Sequence, residues 1–155
     1  MKESSLKRTS LVSFILTFAL LLGLTVLAIT LPVLLRNYLA TFAYANTPAT
    51  EAKFGVLLAL AYCVLIPAYT AGGLMLWLLR RVRAELIFAH PSALIIRLLA
   101  ICCFAECAIF GLFTIYFTIS LGISFCALFL GIALLVVADV ISEGTEIKTE
   151  NDFTV

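Results

Sequence analysis

The sequence predicts an all-α integral membrane protein, a bundle of four transmembrane helices. Three observations carry that expectation. The 155 residues are 64% hydrophobic and 12% charged, against roughly 25% charged in an average soluble domain. Mean hydropathy is +1.19. Long runs with almost no charge recur, and a bilayer crossing takes about 20 such residues as helix. A soluble domain of this size keeps a large polar surface, which ten basic and nine acidic side chains do not coat. A net charge of +1 offers no field for phosphates, so direct nucleic-acid binding is excluded as well.

The elements follow in order. Leu11 to Leu35 carries no charge over 25 residues, and Phe54 to Leu79 none over 26. Leu98 to Ala138 runs for 41 residues with Glu106 as its one charge. As a single helix that run would reach about 62 Å, twice the ~30 Å hydrocarbon thickness, so it folds back. Thr118, Ser120, Gly122 and Ser124 place the reversal within Tyr116 to Ser124. The expected spans are 11–35, 54–79, 95–116 and 121–141. They are helices, because hydrocarbon leaves no water to satisfy an open backbone. The apolar runs are continuous rather than alternating, which argues against a barrel.

Basic residues set the expected orientation. With the amino terminus inside, Lys2, Lys7, Arg8, Arg80, Arg81, Arg83, Arg97 and Lys148 fall inside, and Arg36 and Lys53 outside. Both termini are therefore expected in the cytoplasm. The first run resembles a signal peptide in its basic start and in Ala43-Tyr44-Ala45, but it is too long for an h-region of about 7–15 residues, and it is expected to stay as an anchor.

Asn37 to Lys53 reads as a polar outside loop. The cytoplasmic loop, 80–94, carries Leu86-Ile87-Phe88 among its charges and is expected to lie at the interface. Pro91 suits the first turn of the third helix. Residues 142–155 form a short acidic tail with Glu143, Glu146, Glu150 and Asp152.

Few residues promise chemistry. Glu106 lies in mid-span, where an ionised carboxylate costs at least about 2.5–3.5 kcal/mol. It is expected to face the bundle interior. Two readings stand: a proton-coupled site, or a neutral carboxyl bonded to Tyr62, Tyr69, Thr70 or a neighbouring backbone carbonyl. Asp139, in the last turn of the fourth span, reads as a solvated boundary residue or as a partner of Arg80 or Arg97. Pro67, followed by Gly72-Gly73, is expected to kink the second span, as a hinge or as a static bend. Cys63, Cys102, Cys103, Cys107 and Cys126 all fall within spans, and with no C-x-x-C they read as small apolar packing residues rather than metal ligands or a redox pair. His90, the one histidine, is a loop residue with a pH-sensing role as the alternative. Small residues four apart (Ala19/Gly23, Ala68/Gly72, Cys107/Gly111, Ala127/Gly131) permit close helix packing and a homodimer. No phosphate loop, catalytic triad or His–Glu metal motif occurs. Neither an enzyme nor a cofactor is expected, and the lipid bilayer is the expected partner.

With the spans placed, a resemblance emerges over nearly the whole chain. Leu31-Pro32 ends the first span, Ile66-Pro67 lies midway along the second, and Trp77-Leu78-Leu79-Arg80 closes it into the basic loop. The acidic ending Glu143 to Val155, above all Glu150-Asn151-Asp152-Phe153-Thr154-Val155, is the most specific feature. These features resemble the bacterial family of small four-span membrane proteins catalogued as domain of unknown function 2975. Phe88 to Arg97 departs from the family's usual loop, with one arginine and no asparagine. The resemblance implies a bacterial plasma-membrane location and no known activity. It further implies a partner, because genes of the family often lie beside those of small helix-turn-helix regulators.

Two functional expectations follow. One is a non-enzymatic regulator or sensor whose cytoplasmic face holds a helix-turn-helix protein. Arg80, Arg81 and Arg83 with Glu150, Asn151, Asp152, Phe153 and Val155 form the candidate surface. The period of two in Glu146-Ile147-Lys148 and in Phe153 and Val155 suggests an added edge strand, with a frayed end as the alternative. The other is a small dimeric proton-coupled transporter or efflux component using Glu106, with Tyr62, Tyr69 and Trp77 as aromatic walls. A subunit of a larger complex is a third, blander possibility.

Overall fold

The computed structural model describes residues 2–42, 48–83 and 90–152, with side chains described for 11–41, 53–83 and 91–147. Four helices account for nearly all of them: α1 Lys2–Phe42, α2 Pro48–Arg83, α3 His90–Phe113 and α4 Ser120–Asp152. Each contains a segment long and apolar enough to cross a membrane: Leu11–Thr41, Lys53–Arg83, Pro91–Phe113 and Ser120–Ile147.

The helices outrun the spans read from hydropathy. α1 passes residue 35 to Phe42, α2 begins at Pro48 rather than 54, and α3 begins at His90 rather than 95. The connections expected at 37–53 and 80–94 are correspondingly shorter. Hydropathy marks where a chain meets water, whereas an established helix adds a hydrogen bond with each further residue and continues. Pro48 opens α2, and Pro91 sits in the first turn of α3, where a missing N–H costs nothing. The interfacial segment Leu86 to Phe88 and the tripeptide Ala43 to Ala45 lie outside the described residues.

The reversal between α3 and α4 occupies 114–119, slightly before the expected Tyr116 to Ser124. The Tyr116 and Phe117 N–H groups both donate to the Phe113 carbonyl at 2.9 Å, and Ser120 N–H donates to the Phe117 carbonyl at 3.0 Å. These tight bonds close one helix and open the next. Ser124, read as a turn residue, lies inside α4 and is buried. The polar cluster therefore marks a turn in its first half and a helix contact in its second.

The acidic tail is a continuation of α4, not an extended strand. The helix holds to Asp152, so the period of two in 146–148 is not presented as a strand edge. Glu, Lys and Thr propagate a helix already nucleated upstream. Phe153 and Val155 lie outside the described residues.

Packing runs in chain order. α1 packs on α2, α2 also on α3, and α3 on α4; among the described residues the backbones of α1 and α4 do not meet. The tightest core lies in the α3–α4 hairpin, where Ser92, Ala100 and Ala138 are fully buried and Ile95 nearly so. Two glycines make the close approaches. A Cβ on Gly131 would stand 2.8 Å from the Phe104 ring, and one on Gly72 would stand 2.5 Å from Leu21 Cδ2. α2 is continuous across Pro67, which is buried. Neighbouring helices tolerate the lost hydrogen bond there, as they do in packed apolar bundles.

Candidate functional site

The two ends of the bundle differ in chemistry. At one end, here called the arginine end, α2 finishes with Arg80, Arg81 and Arg83 in its last turn. Cations there complement the partial negative charge of the helix terminus. The Arg83 guanidinium lies 5.2 Å from the centre of the Phe14 ring, tying the start of α1 to the end of α2. At the same end Arg97 Nη2 donates to Asp139 Oδ1 at 2.7 Å, with both side chains more than half exposed. Asp139 is thus both a boundary residue and the partner of Arg97. An exposed pair of this kind contributes about 0–1 kcal/mol. At the opposite, turn end, the Tyr38 and Phe117 rings meet edge to face with centroids 5.4 Å apart.

The expected polar site divides into separate contacts. Tyr62 OH donates to the Ala28 carbonyl at 3.3 Å, and Tyr69 OH donates to Thr25 Oγ1 at 2.9 Å. Thr25 Oγ1 in turn donates to the Leu21 carbonyl at 2.9 Å. Tyr62 and Tyr69 are seven residues apart, on one face of α2, and that face meets α1. Thr70 Oγ1 donates back to the Ile66 carbonyl at 2.8 Å. The hydroxyls read as partners of Glu106 are therefore engaged elsewhere. Glu106 itself is half-buried and continues the α3 stripe of Ile95, Leu99 and Cys102 at helical spacing.

Sequence reasoning missed the contact that links α3 to α4. Ser124 Oγ donates to the Cys107 carbonyl at 2.8 Å and lies 3.3 Å from Cys107 Sγ. With the hydroxyl hydrogen committed to the carbonyl, the thiol is the donor in the second bond. The signal was available: Cys107 belongs to a small-residue pair, and Ser124 lies in an otherwise apolar run. All five cysteines are free thiols; Cys102 is buried and Cys63 and Cys126 are exposed. No group of three or more His, Cys, Asp or Glu with metal-ligating potential occurs among the described residues.

The residues of the candidate partner surface come from two helices. Arg80 and Arg83 are exposed and Arg81 is half-exposed at the end of α2. Glu150, Asn151 and Asp152 form the last turn of α4. The backbones of α2 and α4 do not contact one another among the described residues. The side chains of His90 and of Glu150 to Asp152, and all of Phe153 and Val155, lie outside the described set.

Residues 34–155 match the family model described as "Protein of unknown function (DUF2975)". The chain belongs to this family. The matched stretch takes in the end of α1 and all of α2, α3 and α4; Leu31-Pro32 lies just before it. No curated protein and no solved structure matches the chain.

Proposed function

We propose that this DUF2975 protein is an integral membrane protein of the bacterial plasma membrane, crossing four times with both termini in the cytoplasm. It acts there without catalysis, as the membrane partner of a small cytoplasmic helix-turn-helix regulator. The orientation rests on the eight-to-two distribution of basic residues. The observation that carries the partner reading is the length of α4. Its 33 residues extend about 50 Å by helical rise, some 20 Å more than the hydrocarbon thickness of ~30 Å. The turn at 114–119 anchors one end at the outer interface, so the excess projects on the arginine side. An acidic helix end there suits a basic partner surface. Deleting residues 143–155 tests this by co-purification with a co-expressed small helix-turn-helix regulator. Loss of the regulator is expected, and undiminished retention would overturn the reading.

A second reading is favoured by Glu106. Its carboxyl lies midway along α3, and the hydroxyls of Tyr62, Tyr69 and Thr70 are bonded elsewhere. A carboxyl in that position suits a proton-coupled transporter working as a homodimer. Proton-driven uptake into liposomes that is abolished in Glu106→Gln would establish it. Uptake that is absent, or unaltered by the substitution, would remove it.

A further inference from the structure

The bundle is left unclosed along one side. α1 and α4 flank a cleft floored by α2 and α3, a cavity of about 610 Å³ bordered by Leu16, Leu24, Ala71, Met75, Leu99 and Leu134. α1 is pinned at one end of this opening by Phe14 under Arg83, and near its own far end, well beyond the cleft, by Tyr38 against Phe117. Between the pins it stands away from α4.

We infer that this cleft is a binding site for one anionic phospholipid of the inner leaflet, its acyl chain in the cavity and its phosphate at the arginine end. Length and charge support that occupant. Along α1 the lining runs from Ser13 to Leu24, about 17 Å of helical rise. That is close to the ~15 Å depth of one leaflet, half the hydrocarbon thickness. A cleft of this volume, open along its side, takes an extended hydrocarbon chain.

The lining is apolar except for Ser13 and Thr17, both at the arginine end. Thr17 Oγ1 already donates to the Ser13 backbone carbonyl at 2.8 Å, so the Thr17 hydroxyl demands no polar ligand in the cleft. Around that end stand Arg80, Arg81, Arg83 and Arg97. Asp139 is paired with Arg97, Glu143 and Glu146 lie one to two turns further along α4, and the sequence adds Glu3 and Glu85 at this end. Arg83 is engaged with the Phe14 ring, so the exposed Arg80 and half-exposed Arg81 are the cations that meet a phosphate, with which guanidinium groups pair readily. The site rests on the inserted orientation proposed above, but not on the regulator reading.

Native mass spectrometry of the full chain, released from detergent micelles, tests the site. The micelles are doped with phosphatidylglycerol, with phosphatidylcholine of the same chains, or with glycerophosphate lacking chains. A one-to-one phosphatidylglycerol adduct is expected, at least tenfold more abundant than the phosphatidylcholine adduct, with none for glycerophosphate. Ala71→Trp fills the cleft and is expected to reduce the adduct at least tenfold. Leu20→Trp, on the exposed side of the same lining, gives the same result without disturbing the α2 packing. Arg80→Gln with Arg81→Gln is expected to remove the preference for phosphatidylglycerol while keeping the phosphatidylcholine adduct.

Equal binding of the two lipids overturns the charge assignment. Undiminished binding in both tryptophan variants, or a mass that shows only a second copy of the chain, overturns the site. Alkaline extraction of membranes separates the two levels: a chain that washes off fails the insertion reading, and a chain that stays but binds no lipid fails the site.

Discussion

The first helix and the α3–α4 hairpin are similar in apolarity and opposite in packing. None of the described side chains of α1 is buried, and Ile29 is 73% exposed. In the hairpin, Ser92, Ala93, Ile95, Ile96 and Ala100 of α3 and Ala127 and Ala138 of α4 are buried. What separates the two regions is side-chain size at the contact. The hairpin places Ala, Ser, Cys and Gly where the helices meet, so the backbones come close and small polar groups bond across the gap. α1 leaves its small pair, Ala19 and Gly23, exposed and unapproached, and docks at discrete points: Gly72 against Leu21, two tyrosine hydroxyls, and the ring contacts at its ends. Apolarity suits a helix to lipid, and small residues suit it to another helix.

Substitutions can break or sharpen this contrast. The largest effect is expected from Gly131→Leu, which drives a side chain into Phe104. Overpacking of that kind costs about 1–3 kcal/mol, to be read as a fall in the thermal midpoint of the detergent-solubilised chain. The matched change on α1, Gly23→Leu, meets nothing within 4 Å and should stay within about 0.5 kcal/mol. Equal costs at the two glycines would break the comparison.

Ser124→Ala removes both bonds to Cys107, and a loss of about 1–2 kcal/mol is expected, with faster amide hydrogen exchange along α4. Tyr69→Phe deletes the link to Thr25 and should cost about 0.6 kcal/mol. Its signature is earlier proteolytic cleavage in α1 with the hairpin intact. Loosening of α3 and α4 instead would show that α1 is not the separable element.

The smallest effect belongs to the exposed ion pair. A double-mutant cycle on Arg97→Gln and Asp139→Asn should return about 0.2–1 kcal/mol, falling as salt is added. A larger coupling that resists salt would mean that the pair is shielded from water and helps lock the hairpin.

Much of this architecture was legible in the chain. The apolar runs marked four helices, and the length of the third run demanded a reversal, which lies at 114–119. Asp139 was paired correctly in one of its alternatives. The polar site was not legible. Tyr69, Thr70 and Glu106 lie at similar distances from the charged flanks, from which depth is readable, and Tyr62 lies about 10 Å further along α2. Which face meets which helix depends on rotation about each axis. α1 and α2 are apolar on every side, so periodicity gives no rotation signal. The acidic tail misled for a different reason. A period of two over three residues weighs little against a helix already propagating from an apolar segment.

By itself, then, the chain determined how many helices form and where the apolar segment of each lies. Uncharged runs of that length satisfy their backbone polar groups internally by coiling, whatever they pack against. Only the tertiary structure decided who touches whom. The Ser124–Cys107 bonds, the tyrosines turned to α1, the Arg97–Asp139 pair and the open side between α1 and α4 depend on where small residues let two backbones approach. Small residues are common in every one of these helices. Their pairing is set by mutual fit, which no single helix encodes alone.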